Sequence, residues 1–388
     1  MPVLTLPTPS RRTEAYRTGP ASDFPAAVTG PFNRLAFAAV HVVADPWSDR
    51  DPWLEPAIDW ERTIAYRLHL YRLGFAVAEA MDTAQRGMGL DWPTALELIR
   101  RSVDAARSMP GAVVFSGAGT DQLAPDAGGG LDAVIGAYEE QCGAIEAIGG
   151  RIVLMASRAL AACAHWPDDY AKVYGRVLAQ VRDKVIVHWL GDMFDPALAG
   201  YWGHADVEAA TDVCLEVLRA NAAKIDGIKV SLLDRRHEIA MRRRLPDGIR
   251  MYTGDEFHFA ELIAGDARGH SEALLGIFDV IAPAASAALT ALAQGDRSRY
   301  DRILAPTVPL SRHIFAAPTR FYKTGVVFMA WLNGHQDHFV LVGGQQSARH
   351  IVHLSELFRL ADRAGLLADP ELAAHRMRSL LATQGIDA

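Results

Sequence analysis

Short apolar runs of strand length recur along this chain, separated by segments with helical period, and this alternation restricts the fold more than any other feature. The runs cover residues 35–43, 74–80, 112–116, 152–156, 185–189, 227–231, 249–252 and 273–278, and segments such as 60–72, 92–108, 131–148, 168–181 and 206–223 carry the helical spacing. Strands alternating with helices, joined by crossovers long enough for parallel pairing, specify an α/β protein with a parallel sheet. Eight such units predict a closed (β/α)8 TIM barrel. An open doubly wound sheet would carry a glycine-rich phosphate loop after its first strand; here that strand runs into AVHVVADPWSD. The expected organisation is an N-terminal arm over 1–30, rich in Pro, Thr, Ser and Gly, a barrel over 31–295, and C-terminal helices over 296–388, including 324–332 and 355–367, packed on the barrel.

Composition narrows the class. With 388 residues, half of them apolar and 22% charged, the chain can bury a large core without disulfide or metal. Cys142, Cys163 and Cys214 lie far apart without ligand spacing and are expected to be free core thiols. A formal charge of −7 with mixed signs excludes nucleic acid as the main partner. The one basic cluster, Arg235, Arg236, Arg242, Arg243 and Arg244, reads as a solvated helix face. No signal-peptide pattern and no bilayer-length apolar run occurs, so no membrane partner and a cytoplasmic location are expected.

Barrel chemistry sits at the C-terminal ends of the strands, where the βα loops form the open face. The sixth strand, GIKVSLLD, places Lys229 among apolar neighbours, where desolvation favours the neutral, nucleophilic amine. A lysine paired with a barrel carboxylate is the competing reading. The fifth, VIVHWLGD, brings His188 to the matching position, and histidine is the commonest general acid or base. The first strand contributes His41, and the second ends at Glu79 and Asp82; the seventh runs into Asp255, Glu256 and His258, and the eighth is entered through His270 and Glu272. These groups are expected to converge on one rim.

The spacing resembles the dihydrodipicolinate synthase and N-acetylneuraminate lyase family of Schiff-base barrels, over about residues 34–333. IDW at 58–60 is similar to the family's opening of the first helix, and GAGTDQL at 117–123 to the glycine-rich end of its third strand. GIKVSLLD resembles its sixth-strand motif, RMYTGDEF its seventh, and AGDARGHSEA with Ala282, Pro283 and Lys323 follows its order. The resemblance implies that Lys229 is the imine-forming lysine and that the protein is a homo-oligomer. Departures are equally specific. Of the loop that binds a substrate carboxylate in the family, Asp82-Thr83-Ala84-Gln85-Arg86 keeps only Thr83. The fifth-strand tyrosine and arginine are replaced by His188 and Met193, and the tyrosine pair after strand four by Ser157, Arg158 and Ala159.

The resulting expectation is a class I aldolase or lyase without cofactor, acting on a small oxo acid or sugar-derived carbonyl compound, and not a standard dihydrodipicolinate synthase. Lys229 and His188 would be catalytic, with Asp82, Thr83, Glu256, His258, Glu272 and His41 contacting substrate. Two alternatives stay open: a divalent-metal isomerase or lyase, with Zn or Mn on His41, His188, Glu256, His258 or Glu272, and a non-catalytic ligand-binding barrel.

Overall fold

The computed structural model describes residues 1–124 and 129–386. The chain forms two compact units, one of Arg34–Val40 with Phe75–Gly276, the other of Met1–Asn33, His41–Gly74 and Ile277–Ala388. The first holds a closed barrel of eight parallel strands, β3 to β10; the hairpin β1 (Val3–Pro7) and β2 (Thr13–Arg17) belongs to the second. The barrel strands are β3 (Ala36–Ala39), β4 (Ala76–Glu79), β5 (Val114–Ala118), β6 (Arg151–Leu154), β7 (Val185–Leu190), β8 (Ile225–Ser231), β9 (Arg250–Thr253) and β10 (Glu272–Leu275), each pairing with the next and β10 closing on β3.

Between them in the chain run α1 (Trp60–Arg72), α2 (Trp92–Arg107), α3 (Gly130–Ala147), α4 (Arg158–Cys163), α5 (Pro167–Gln180), α6 (Val207–Ala220), α7 (Arg235–Arg242) and α8 (Phe259–Ala264). The protein is a (β/α)8 barrel. Several helices begin where the sequence supplies an N-cap: Asp91, Asp206 and Asp234 each accept a backbone N–H from the first turn of α2, α6 and α7. The strands end close to the expected apolar runs. The first and the eighth are exceptions: β3 ends at Ala39, well short of residue 43, and after Leu275 the chain turns at Gly276 into a short helix, α9 (Ile277–Val280).

Alternation along the strands sends Phe37, Ala78, Phe115, Val153, Ile186, Tyr252 and Leu274 into one buried cluster inside the barrel. Tyr252 fits because residue 227 is glycine: a Cβ there would lie 2.5 Å from the Tyr252 ring. Of the basic cluster, Arg235, Arg243 and Arg244 are solvated, paired to Glu261, to Asp266, and to Asp212 and Glu208, whereas the Arg242 side chain is largely buried between Asp266 and Ser271 Oγ. The cysteines are free, Cys142 and Cys214 buried and Cys163 half-buried. No helix among the described residues is long and apolar enough to cross a membrane.

In the second unit the N-terminal arm is more ordered than its composition suggests. Leu4 and Leu6 of the hairpin are buried. Arg359 of α14 (Ile351–Arg363, the numbering counting the five helices between) donates to the carbonyls of Leu6 and Pro7, and Tyr16 Oη donates to Asp362 at 2.7 Å. Those five are α9, α10 (Ala282–Ala293), α11 (Arg297–Leu304), α12 (Thr307–Ile314) and α13 (Tyr322–Leu332), and α15 (Pro370–Thr383) follows. The arm therefore packs on the chain's own C-terminal helices. Helix α13 is buried on every side, in keeping with its apolar sequence.

Glu238 of α7 ties the end of β9 to the approach to β10. Buried, it accepts hydrogen bonds from Thr253 Oγ1 at 2.9 Å and Ser271 Oγ at 2.7 Å, and burial pushes its carboxyl up to about 8. A carboxyl held neutral in the fold but ionised when unfolded favours folding at pH below about 4.5, and that advantage is lost as pH rises toward 8. Unfolding free energy of the Glu238→Gln variant should therefore fall less than wild type between pH 5 and 8.5; parallel curves would refute this role.

Candidate functional site

In the parallel barrel all strand C-termini open on one rim. His188 of β7 stands opposite Lys229 of β8 in the strand register, and Lys229 opposite Tyr252 of β9. Since Ile186 and Tyr252 face the interior, His188 and Lys229 do too, two positions further along or directly across. Both are buried, at 1% and 4% exposure. Gly254 makes room for Lys229 and Ser231. A Cβ there would come within 2.8 Å of Lys229 Cε and 2.1 Å of Ser231 Oγ, so the glycine of the GDEF segment is required by the side chains of the neighbouring strand.

The electrostatics follow from burial. Lys229 is held below its ordinary range chiefly by desolvation, which the carboxylates of Asp82 and Glu256 partly oppose. Burial, and then the Lys229 charge, push His188 well below its ordinary range, while Asp82 opposes this. A neutral imidazole beside a lysine of lowered basicity is thus the resting state, and His188 Nε2 lies 3.2 Å from Ser231 Oγ.

Next to this pair is a cavity of about 350 Å³, lined by Asp82, His188, Thr120, Met155, Arg158 and Asp195 among others. Lys229 is not itself a lining group; its neighbours Asp82 and His188 form the wall. Arg86 also lines the cavity, yet all five of its N–H donors are spent: on Ala80 O, Gly117 O, Gln141 Oε1 and both oxygens of Asp121. It is a clamp between the loops after β4 and β5. It also holds Ala80, whose φ of 50° costs a non-glycine residue on the order of 1 kcal/mol. Arg158 differs: its Nε pairs with Asp195, and the side chain is 36% exposed.

The sequence candidates separate into groups. Lys229, His188, Asp82 and Glu256 come together, Glu256 also accepting the Gly276 N–H at 2.6 Å. Thr83 is buried in the 3-10 turn Asp82–Ala84 and does not line the cavity. His258 follows β9 but is tied to Asp255, Nδ1 to Oδ2 at 2.8 Å. Glu272 does not join the rim. It opens β10, at the N-terminal end of the barrel, and accepts the Leu35 N–H; convergence failed there because a residue entering a strand lies at the opposite mouth from one leaving it. His41 lies in the second unit, bonded to Asp279. Glu79 faces away from the interior toward Ser102. Among the described residues no three His, Cys, Asp or Glu side chains are gathered as a metal site, so the five proposed ligands do not form one. Sequence reasoning missed Arg86, Asp121, Arg158 and Asp195 as lining groups. Arginines in two βα loops, at 86 and 158, were the available signal.

The profile of the family described as "Protein of unknown function (DUF993)" matches residues 4–386. The chain belongs to this family. No curated protein matches it. Among solved structures, YagE, a prophage protein of the dihydrodipicolinic acid synthase family from E. coli K12 in complex with pyruvate, is similar with a TM-score of 0.65 at 13% identity, covering 86% of this chain and 99% of that one. The chloride-inhibited dihydrodipicolinate synthase of Acinetobacter baumannii, complexed with pyruvate, gives 0.63 at 13% identity over 86% and 99%. That of Oceanobacillus iheyensis gives 0.56 at 15% identity over 90% and 98%. This DUF993 chain therefore has the fold of the dihydrodipicolinate synthase barrels.

Gly254→Ala should lower stability by about 1–3 kcal/mol through overpacking against Ser231, Lys229 and the Val230 carbonyl. Urea denaturation checks this, and an unchanged midpoint would show that the barrel wall yields at no cost.

Proposed function

We propose that this DUF993 protein is a class I aldolase or lyase in which Lys229 forms an imine with a small carbonyl compound. The observation that carries the reading is the pairing of buried Lys229 with buried His188 across β7 and β8, beside Asp82 at the cavity wall. Lowered basicity favours the neutral, nucleophilic amine. Its lone pair attacks the carbonyl carbon, the carbonyl oxygen takes up protons and leaves as water, and the protonated imine remains. That cation withdraws the electron pair of the adjacent C–C bond as it breaks, the hydroxyl on the far carbon losing its proton so that this fragment leaves as a carbonyl compound. The enamine left on Lys229 takes up a proton at carbon, and water then releases the amine and the second carbonyl product.

His188, neutral at rest, is placed to carry the protons these steps move, with Ser231 Oγ as its hydrogen-bond partner. Asp82 and Glu256 stabilise the iminium charge electrostatically, which a buried cation needs. Since the cavity wall is Asp82 and His188, the substrate carbonyl must pass these two to reach Nζ. The polar lining, with Thr120, Arg158 and Asp195, suits a substrate bearing hydroxyl or carboxylate groups, an oxo acid or sugar-derived compound. The fold of the similar structures supports the reading; the replaced carboxylate loop and His188 separate it from a standard dihydrodipicolinate synthase.

Borohydride reduction in the presence of a panel of oxo acids and oxo sugars should leave one mass adduct, on the peptide containing Lys229. Lys229→Met should abolish the adduct with the fold intact. His188→Gln should keep an adduct but slow its formation by about a hundred-fold or more. Absence of any adduct across the panel, or an adduct on another lysine, would overturn the imine assignment.

A further inference from the structure

The second unit holds a cavity of about 190 Å³ that the proposed reaction does not use, lined by Tyr66, His69, Asp279, Val280, Met329 and His335 among others. Its polar groups are unusual for so buried a place. Asp279 is 2% exposed, and its Oδ2 accepts both the backbone N–H of His41 and, at 2.8 Å, its ring Nδ1. Asp279 Oδ1 has no hydrogen-bond partner, and neither has His69 Nε2. Tyr66 and His335 pack with ring centroids 4.7 Å apart, and His69 and His335 at 4.9 Å. Tyr66 donates its hydroxyl to the Asp279 carbonyl, which turns the rest of its ring into wall. Arg67 directs its guanidinium to the carbonyls of His41 and Thr63 and is not a lining group.

An orphaned carboxylate oxygen costs on the order of 1–3 kcal/mol or more when buried. Imidazole nitrogens and a phenol face beside it add acceptors and a negative π surface. Burial drives His335 down to about 3 and lowers His69, so both rings are uncharged at neutral pH and present no positive charge to a ligand. The remainder of the wall is mostly apolar, from Phe24, Val280, Met329, Ala330 and Leu366 among others, with Ser22 and Asn333 as its further polar groups. A divalent ion is not favoured, because no three of these donors are gathered about one point.

We propose that this cavity binds a compact primary alkylammonium group, its N–H donors on Asp279 Oδ1 and the neutral imidazoles, and its alkyl body against Val280, Met329 and Leu366. The site is independent of the imine chemistry and would stand if that reading failed. Calorimetric titration of the full chain with isobutylammonium chloride should show one-site binding, with neutral isobutanol at least ten-fold weaker. Asp279→Asn should weaken isobutylammonium at least ten-fold. Ala330→Leu, which fills the cavity from α13 without touching the polar groups, should abolish binding while cooperative thermal unfolding persists, and keeps the test decisive if the Asp279 variant does not fold. Equal affinity for isobutanol, binding unchanged in Ala330→Leu, no binding of isobutylammonium, or stoichiometric zinc uptake in its place would each overturn the proposal.

Discussion

Taking an ammonium group out of water costs several kcal/mol even after the surroundings relax, and a closed barrel has few ways to meet that cost. This chain meets it at Lys229 with two carboxylates, Asp82 and Glu256, delivered by the loops that leave β4 and β9. Gly254 supplies the space and Gly227 lets Tyr252 fill the interior on the other side of the lysine. The result is a lysine of lowered basicity beside a neutral His188. Much of the arrangement at the rim can be understood as support for that one buried amine.

The loops themselves are held by charge pairs. Arg86 spends its whole guanidinium on backbone carbonyls, Asp121 and Gln141, joining the turns after β4 and β5 and keeping Asp82 in place two residues from the strained Ala80. Arg158 and Asp195 form a second pair at the cavity wall, through the arginine Nε alone. An arginine whose five donors are committed is a structural part; one with a single engaged nitrogen retains the capacity to meet a ligand. That difference in hydrogen-bond saturation, invisible in residue type, sorts the polar lining into scaffold and binding surface.

The two units concentrate polar groups for different reasons. In the barrel, charges are compensated in pairs or act on Lys229. In the unit formed by the N-terminal segments and C-terminal helices, Asp279 has one oxygen engaged by His41 and one without a partner, beside histidines that burial keeps neutral. Glu238 shows a third solution, a carboxyl satisfied by two hydroxyls and kept protonated by burial.

How much of this was legible beforehand depended on the range of the interaction involved. The strand-and-helix period determined the barrel, because burying one face of each element is a local property of residue spacing, and α1 was legible to the residue over 60–72. Lys229 and His188 could be read as anomalies in apolar strands, and the strand count brought them level. The N-terminal hairpin was not legible, since β1 acquires its buried face against α14 and α15, far along the chain. Nor was the placement of Glu272 and His41: whether a residue beside a strand belongs to the rim depends on which end of the strand it occupies and on what it bonds. The sequence by itself determined the architecture and the chemical oddity of Lys229, because both follow from hydrophobic pattern. Tertiary structure decided which charges meet it, which arginine keeps donors to spare, and where Asp279 is left unpaired, because these depend on distances between segments that no local pattern encodes.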